Sequence, residues 1–213
     1  RQALARATTH LSHTIDSNPR LDAKVLLAFA IDKPRTHLFA WPDKTLAADQ
    51  IDSFNELIRR RGTGEPLAYI TGTKEFWSLE LEVTRDTLIP RPETELLVER
   101  ALDHLAMDHP QTAADLGTGT GAIAIAVASE RPLTKITACD CSAAALKIAK
   151  RNITQHQLNN ISIASGHWFQ ALAEDKLYDV IISNPPYVAS SDPHLLQDGL
   201  PWEPEGALTS GKD

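Results

Sequence analysis

Thr112-Ala113-Ala114-Asp115-Leu116-Gly117-Thr118-Gly119-Thr120-Gly121, followed by Ala122-Ile123-Ala124-Ile125-Ala126-Val127, decides how this chain is built. Thr112–Leu116 reads as a strand, the glycines as a turn, and Ala122–Glu130 as a helix stopped by Pro132. Glycines at such a turn permit φ above zero and close approach of the backbone to a ligand, with the N–H groups of the helix N-terminus behind them. Outward from this unit the alternation continues. Ile136–Cys139 is a strand, Ser142 caps a helix running to about Gln155, and Ile161–Ala164 and Tyr178–Ile182 are further strands. The fold class expected is α/β, a doubly wound sheet, with no internal repeat or low-complexity tract.

Asp140 ends the second strand about 20 residues beyond the glycines, where a carboxylate can accept both hydroxyls of a ribose. The two features together predict a nucleoside site. Their spacing leaves open a dinucleotide or S-adenosylmethionine, since Ala122 can stand for the last residue of a dinucleotide fingerprint. A third feature bears on that choice. Asn184-Pro185-Pro186-Tyr187 follows the apolar run Val180-Ile181-Ile182. Two prolines fix φ twice and remove two donors, which leaves the Asn184 and Pro185 carbonyls free to accept. The Asn184 carboxamide brings an acceptor and two donors, and Tyr187 a flat face. That set suits holding a planar NH2 group for alkylation. Asp115, just ahead of the glycines, can meet an amino acid's ammonium and would repel a pyrophosphate. No second motif for a nicotinamide is visible, so the cofactor expected is S-adenosylmethionine.

Before the sheet, residues up to about Gly72 carry helical periodicity. Leu11 and Ile15, then Leu21, Val25, Leu26 and Phe29, then Ile51, Phe54, Leu57 and Ile58 recur at helical steps, punctuated by Pro19, Pro34 and Pro42. A small helical bundle is expected. Arg59-Arg60-Arg61 ends its third helix and reads as a C-terminal charge cap on a solvated face. Phe76, Leu79, Leu81 and Val83 then alternate with polar residues, which suits a short hairpin. Pro90-Arg91-Pro92-Glu93-Thr94-Glu95 reads equally as helix initiation, with Pro92 first and acids in the first turn, or as the wall of a pocket. The resulting division is 1–73 helical, 74–90 hairpin connector and 91–213 catalytic domain.

With 213 residues, 42% hydrophobic and 23% charged, the chain has the material for one medium or two small cores. No apolar run approaches the roughly 18 residues of a membrane span, and no basic region with an apolar core opens the chain. A cytoplasmic protein with no membrane partner is expected. The net charge of −7 argues against a broad phosphate-binding surface, though not against a local basic patch. Cys139 and Cys141 read as small buried residues; without matching His or Cys they make no zinc site, and no metal is expected. His10 and His13 read as part of a solvated helix face.

Asp115–Gly121, Asp140 and Asn184–Tyr187 resemble the motifs of class I amino-group methyltransferases. Further stretches narrow this. Pro66-Leu67-Ala68-Tyr69-Ile70-Thr71-Gly72, Glu75-Phe76-Trp77 and Ile89-Pro90-Arg91-Pro92-Glu93-Thr94-Glu95 resemble the peptide chain release factor glutamine methyltransferase family. The similarity runs from the helical part to the end of the chain. A sister family acting on a ribosomal protein shares Asn-Pro-Pro-Tyr, but the Arg-Pro-Glu-Thr-Glu loop favours the release-factor family. Enzymes that methylate the amino groups of adenine (N6) or cytosine (N4) in nucleic acid, and a non-catalytic binding module, are the competing readings.

The resemblance implies a Rossmann-like class I methyltransferase domain that methylates the N5 amide nitrogen of the glutamine in the Gly-Gly-Gln motif of bacterial class 1 release factors. The helical part would help bind the factor, with no direct nucleic-acid partner, and the protein would act as a monomer. It places cofactor contacts on Gly117, Thr118, Gly119, Thr120, Gly121, Asp140, Trp168 and Asn184, with Trp168 near the adenine. Asn184, Pro185, Pro186 and Tyr187 would hold the substrate amide, Asn184 and the Pro185 carbonyl by hydrogen bonds and Tyr187 by packing. Two departures stand out. His167 replaces the acidic residue the family usually carries before that tryptophan. Folds of this class also have seven strands, so an incomplete domain lacking the C-terminal strands is expected.

Overall fold

The computed structural model describes residues 1–13, 18–196 and 199–210, so Ile15 of the helical pattern lies outside it. Two compact units emerge: Arg1–Thr71 with His194–Trp202, and Gly72–Pro193 with Glu203–Asp213.

The first unit contains α1 (Gln2–Leu11), α2 (Pro19–Ala30), α3 (Arg35–Ala40), α4 (Ala48–Gly62) and α5 (Leu67–Thr71). Pro19 opens α2 behind Asn18, whose side chain accepts the Leu21 N–H at 3.1 Å, so one of the helix's orphan donors is satisfied. Leu11, Leu26 and Phe54 meet in a core that also takes Leu57, Ile58 and Ile70. Burying each such side chain stabilises by about 1.5–3 kcal/mol. Two expectations need correction here. Leu21, Phe29 and Ile51 are exposed, and the inner face of α2 runs instead through Asp22, Ala23, Leu26 and Leu27. Its phase is set by a buried ion pair, because the Arg61 Nε donates to Asp22 at 2.8 Å. The arginine triplet, moreover, ends the fourth helix, since α3 intervenes, and only Arg59 is solvated. Arg60 makes a fork of two 2.8 Å bonds to buried Glu65. Buried carboxylates need such partners, and removing one costs about 3–5 kcal/mol.

The second unit begins with the hairpin β1 (Thr73–Phe76) and β2 (Leu79–Glu82), in which Phe76 pairs with Leu79. Its two turn residues, Trp77 and Ser78, sit at φ 54° and 59°, the left-handed pair that matches the twist of a two-residue hairpin. The Trp77 N–H donates to Glu95 and its indole N–H to Glu130, which compensates a conformation unfavourable for side chains of this size. Phe76, Leu81 and Val83 are buried in this unit. Arg151 clamps the Glu82 carboxylate with bonds of 2.7 and 2.8 Å. The hairpin therefore packs as part of the α/β unit.

After α6 (Glu95–His104), the chain forms β3 (Thr112–Leu116), α7 (Ala122–Glu130), β4 (Lys135–Asp140), α8 (Ala143–Gln155), β5 (Ile161–Ser165), β6 (Val180–Ser183) and the short α9 (Glu205–Leu208). The strands are all parallel in the order β5-β4-β3-β6, with Asp115 opposite Ala138 and Ile182. This is the Rossmann-like α/β domain expected. Seven consecutive residues of α7, Ala122 to Ala128, are buried, and the alanines let the helix lie close against its neighbours. Strand order reverses at β3, whose neighbours β4 and β6 lie on opposite sides. Ligands of such sheets bind in the crevice outside the carboxyl ends of the strands at that switch. Everything predicted for the site leaves the sheet at that end.

Candidate active site

Gly117, Gly119 and Gly121 take φ of 74°, 55° and 85°, which few other residues tolerate. Their roles differ. A Cβ on Gly121 would lie 3.0 Å from the Ile125 side chain, so this glycine serves the packing of α7, whereas Gly117 and Gly119 have nothing within 4 Å of a Cβ position. Open space there is what a ligand approaching the backbone needs. The Gly119 N–H donates to Asp140 Oδ2 at 2.9 Å, and Asp140 Oδ1 accepts the Ser142 N–H at 2.9 Å. Asp140 thus joins the glycine turn to the start of α8, where the Ser142 hydroxyl accepts the Ala145 N–H. A carboxylate has about four acceptor sites, so two remain after these bonds.

These groups line a cavity of about 550 Å³. Its lining takes Gly117, Gly119, Asp140, Cys141 and the turn Gly166-His167-Trp168 from the glycine side, together with Asp86–Leu88, Asn184–Pro186, Pro204, Gly206 and Ala207. Trp168 opens a 3₁₀ turn at φ 50° and is half exposed, so it stands in the cavity wall and not in the core. Cys141 requires correction, because it is exposed in that wall while Cys139 is buried. Cys139 lies within β4; Cys141 follows the strand's end, where Asp140 turns the chain. Burial pushes the Cys139 thiol up to about 11 and keeps it protonated.

Asp115, Thr118, Thr120 and Gly121 lie behind this lining. Asp115 is 1% exposed, and its Oδ2 accepts the Thr118 hydroxyl at 2.6 Å. Its Oδ1 is buried without a hydrogen-bond partner among the described residues. Burial pushes the carboxyl up to about 6, against the pull of the Thr118 hydroxyl and of the Ala124 N–H. The open glycine face and the half-engaged Asp140 fit a cofactor with a ribose, and the volume is within the usual range for such ligands.

In the same lining, the Asn184 Nδ2 donates to the Thr94 hydroxyl at 3.3 Å. The carboxamide is thereby oriented, and its oxygen remains as an acceptor. Thr94 comes from the proline-flanked loop: Pro92–Thr94 is a 3₁₀ turn leading into α6, as helix initiation predicts, whereas residues 90–95 are not among the cavity's lining residues and the loop braces the site through Thr94 instead of walling it. Pro185 and Pro186 line the cavity, whereas Tyr187 is 79% exposed and outside the lining.

Two supporting residues carry little signal in the sequence. Asn152, fully buried, accepts the Glu82 N–H and donates to the Glu82 and Thr120 carbonyls, joining hairpin, α8 and glycine turn. Helical spacing would have placed it on the apolar face of α8, which is the only hint. Glu203 holds the Ile89 N–H and Arg91.

Residues 2–72 match the family described as PrmC N-terminal domain, and residues 93–198 the methyltransferase small domain. A release factor glutamine methyltransferase of Aliivibrio fischeri is 45% identical over 97% of this chain and 72% of its own length. Proteins of the same name from Coxiella burnetii and Pseudomonas aeruginosa are 48% and 50% identical, over 99% and 91% of this chain and 76% and 70% of their own. With the glycine turn, Asp140 and the oriented Asn184 at one switch point, this chain belongs to the release factor glutamine methyltransferase family.

Proposed function

We propose that the protein transfers a methyl group from S-adenosylmethionine to the side-chain amide nitrogen of the glutamine in the Gly-Gly-Gln motif of bacterial class 1 release factors. The observation that carries the reading is the Asn184–Thr94 hydrogen bond, which fixes the carboxamide at one end of the cavity with its oxygen left to accept. When bound, S-adenosylmethionine supplies a methyl on a positive sulfonium, which is itself a strong leaving group. Asp140, Gly117 and Gly119 would hold the nucleoside with Trp168 beside the adenine, and Asp115 would act on the ammonium from behind the glycine turn.

A glutamine amide is a poor nucleophile because its lone pair is delocalised into the carbonyl. The Asn-Pro-Pro-Tyr motif supplies no base, so its contribution is orientation; as the N–C bond forms the S–C bond breaks to leave a neutral thioether, and the displaced amide proton is released to water. Asn184 Oδ1 and the Pro185 carbonyl accept the two amide N–H groups, and Tyr187 packs on the amide plane once the substrate is present. Holding reactants in line is worth up to about 7–11 kcal/mol of barrier. The helical unit assists in binding the factor. Among the described residues no helix is long and apolar enough to cross a membrane. The enzyme acts in the cytoplasm as a monomer, without direct nucleic-acid contact.

Incubation with labelled cofactor and unmodified release factor tests this. Label is expected in the wild-type factor and absent from a factor whose Gly-Gly-Gln glutamine is alanine. Equal labelling of both would refute the reading.

A further inference from the structure

The substrate end of the cavity is assembled from three segments far apart in sequence, and one side chain closes the assembly. Glu203, with its side chain 2% exposed, accepts the Ile89 N–H at 2.9 Å through Oε2 and the Arg91 guanidinium through Oε1. That ties the start of the 203–210 segment to the loop whose residues 86–88 line the cavity. The other end of the segment is tied as well: the Val188 N–H donates to the Leu208 carbonyl and the Ser210 N–H to the Val188 carbonyl, both at 3.1 Å. Val188 directly follows the Asn-Pro-Pro-Tyr motif. The third tie is the Asn184–Thr94 bond, three residues beyond Arg91. The result is a closed ring of contacts around the groups that face the amide, in which Pro204, Gly206 and Ala207 form the wall between two of the ties.

We propose that Glu203 is a positioning residue for methyl transfer. It acts on the substrate through the 86–91 loop and the 203–210 wall and touches neither cofactor nor amide. A lone buried carboxylate is costly, so its retention here is matched by one guanidinium donor on Oε1 and one backbone donor on Oε2, the pair that makes the clasp directional. Loss of the charge frees the loop and the wall together, and Asn184 loses its brace by way of Thr94.

The test compares wild type, Glu203→Gln and Arg91→Lys by three readouts: turnover on release factor, S-adenosylmethionine affinity by calorimetry, and amide hydrogen exchange. The turnover arm rests on the function proposed above; the exchange arm does not. Glu203→Gln is expected to lower kcat about 100-fold, the cost of a misplacement of about 1 Å, with cofactor Kd changed by about threefold or less. Arg91→Lys keeps the charge but loses the planar guanidinium that reaches Glu203 Oε1, and a loss of about tenfold is expected. In both variants exchange should quicken at Ile89, Asn184 and Val188 together. A merely structural role would weaken cofactor affinity and melting temperature in step with kcat. If Glu203→Gln does not fold, Arg91→Lys carries the same comparison. Unchanged exchange at Asn184 and Val188, or a fall in kcat matched by the fall in cofactor affinity, overturns the proposal. Inactivity of the wild type toward release factor would refute the function while leaving the exchange result to decide the clasp.

Discussion

The two ends of one cavity are built by opposite strategies. The nucleoside end comes from consecutive strand-turn-helix units, β3 into α7 and β4 into α8, and its key bond joins Gly119 to Asp140 across 21 residues. The substrate end gathers residues 86–94, 184–188 and 203–210, and its bonds span 90 residues between Thr94 and Asn184 and 114 between Ile89 and Glu203. Local construction gives a rigid cradle whose parts fold together. Assembly from distant segments gives a site that each segment can loosen separately, and the two ends should respond differently to substitution.

The largest expected separation is in Asn184→Ala. Removing the oriented carboxamide should lower kcat by roughly 100- to 1000-fold, as loss of a positioned hydrogen-bonding group does, while S-adenosylmethionine affinity falls far less. Steady-state kinetics beside calorimetry measures both. Equal loss of the two would mean that the ends are not separable.

Next comes Asp115, whose proton the folded state holds more tightly than the unfolded chain does, from the ordinary 3.8 to about 6. A raised carboxyl favours the fold below the unfolded value, and that contribution is lost as pH rises through about 6. The swing is on the order of 3 kcal/mol. Denaturant unfolding of wild type and Asp115→Asn at about pH 4 and 7 should show the variant gaining on wild type by about that amount at the higher pH. Cofactor affinity of the wild type should rise over the same interval, as the carboxylate forms, and stay flat in the variant.

Asp140→Ala removes the acceptor for two backbone N–H groups and for the ribose. A loss of about 10- to 100-fold in cofactor affinity is expected, with kcat at saturating cofactor much less affected. The smallest effect is assigned to Thr94→Val, which deletes only the hydroxyl that orients Asn184. About a tenfold fall in kcat with unchanged cofactor Kd would confirm the brace, and no fall would show that Asn184 orients itself.

How much was legible in the sequence follows the same division. The limits of β3 and α7 and the capping of α8 by Ser142 were readable because short-range pattern and turn chemistry determine them. Asp140 was readable because its partner lies at a recurrent spacing. In the helical unit the helices were legible but not their phase: Leu21 and Phe29 fit an apolar stripe, yet the Asp22–Arg61 pair turns that face outward. Arg60 and Arg61 looked solvated since their partners, Glu65 and Asp22, are identifiable only once the chain is folded. Cys141 departs from its expected burial for a related reason. Strand alternation says nothing about the first residue past a strand's end. Glu203 sits in a stretch without periodicity, and nothing in Trp202-Glu203-Pro204 foretells a bond to Ile89.

The measurement that bears most directly on the central claim is mass spectrometry of unmodified release factor after incubation with this protein and S-adenosylmethionine, mapping the added methyl to a residue and atom. A single methyl on the side-chain nitrogen of the Gly-Gly-Gln glutamine, nearly lost with Asn184→Ala, is the predicted result. A methyl on any other residue, or one that persists unchanged in that variant, would contradict the account.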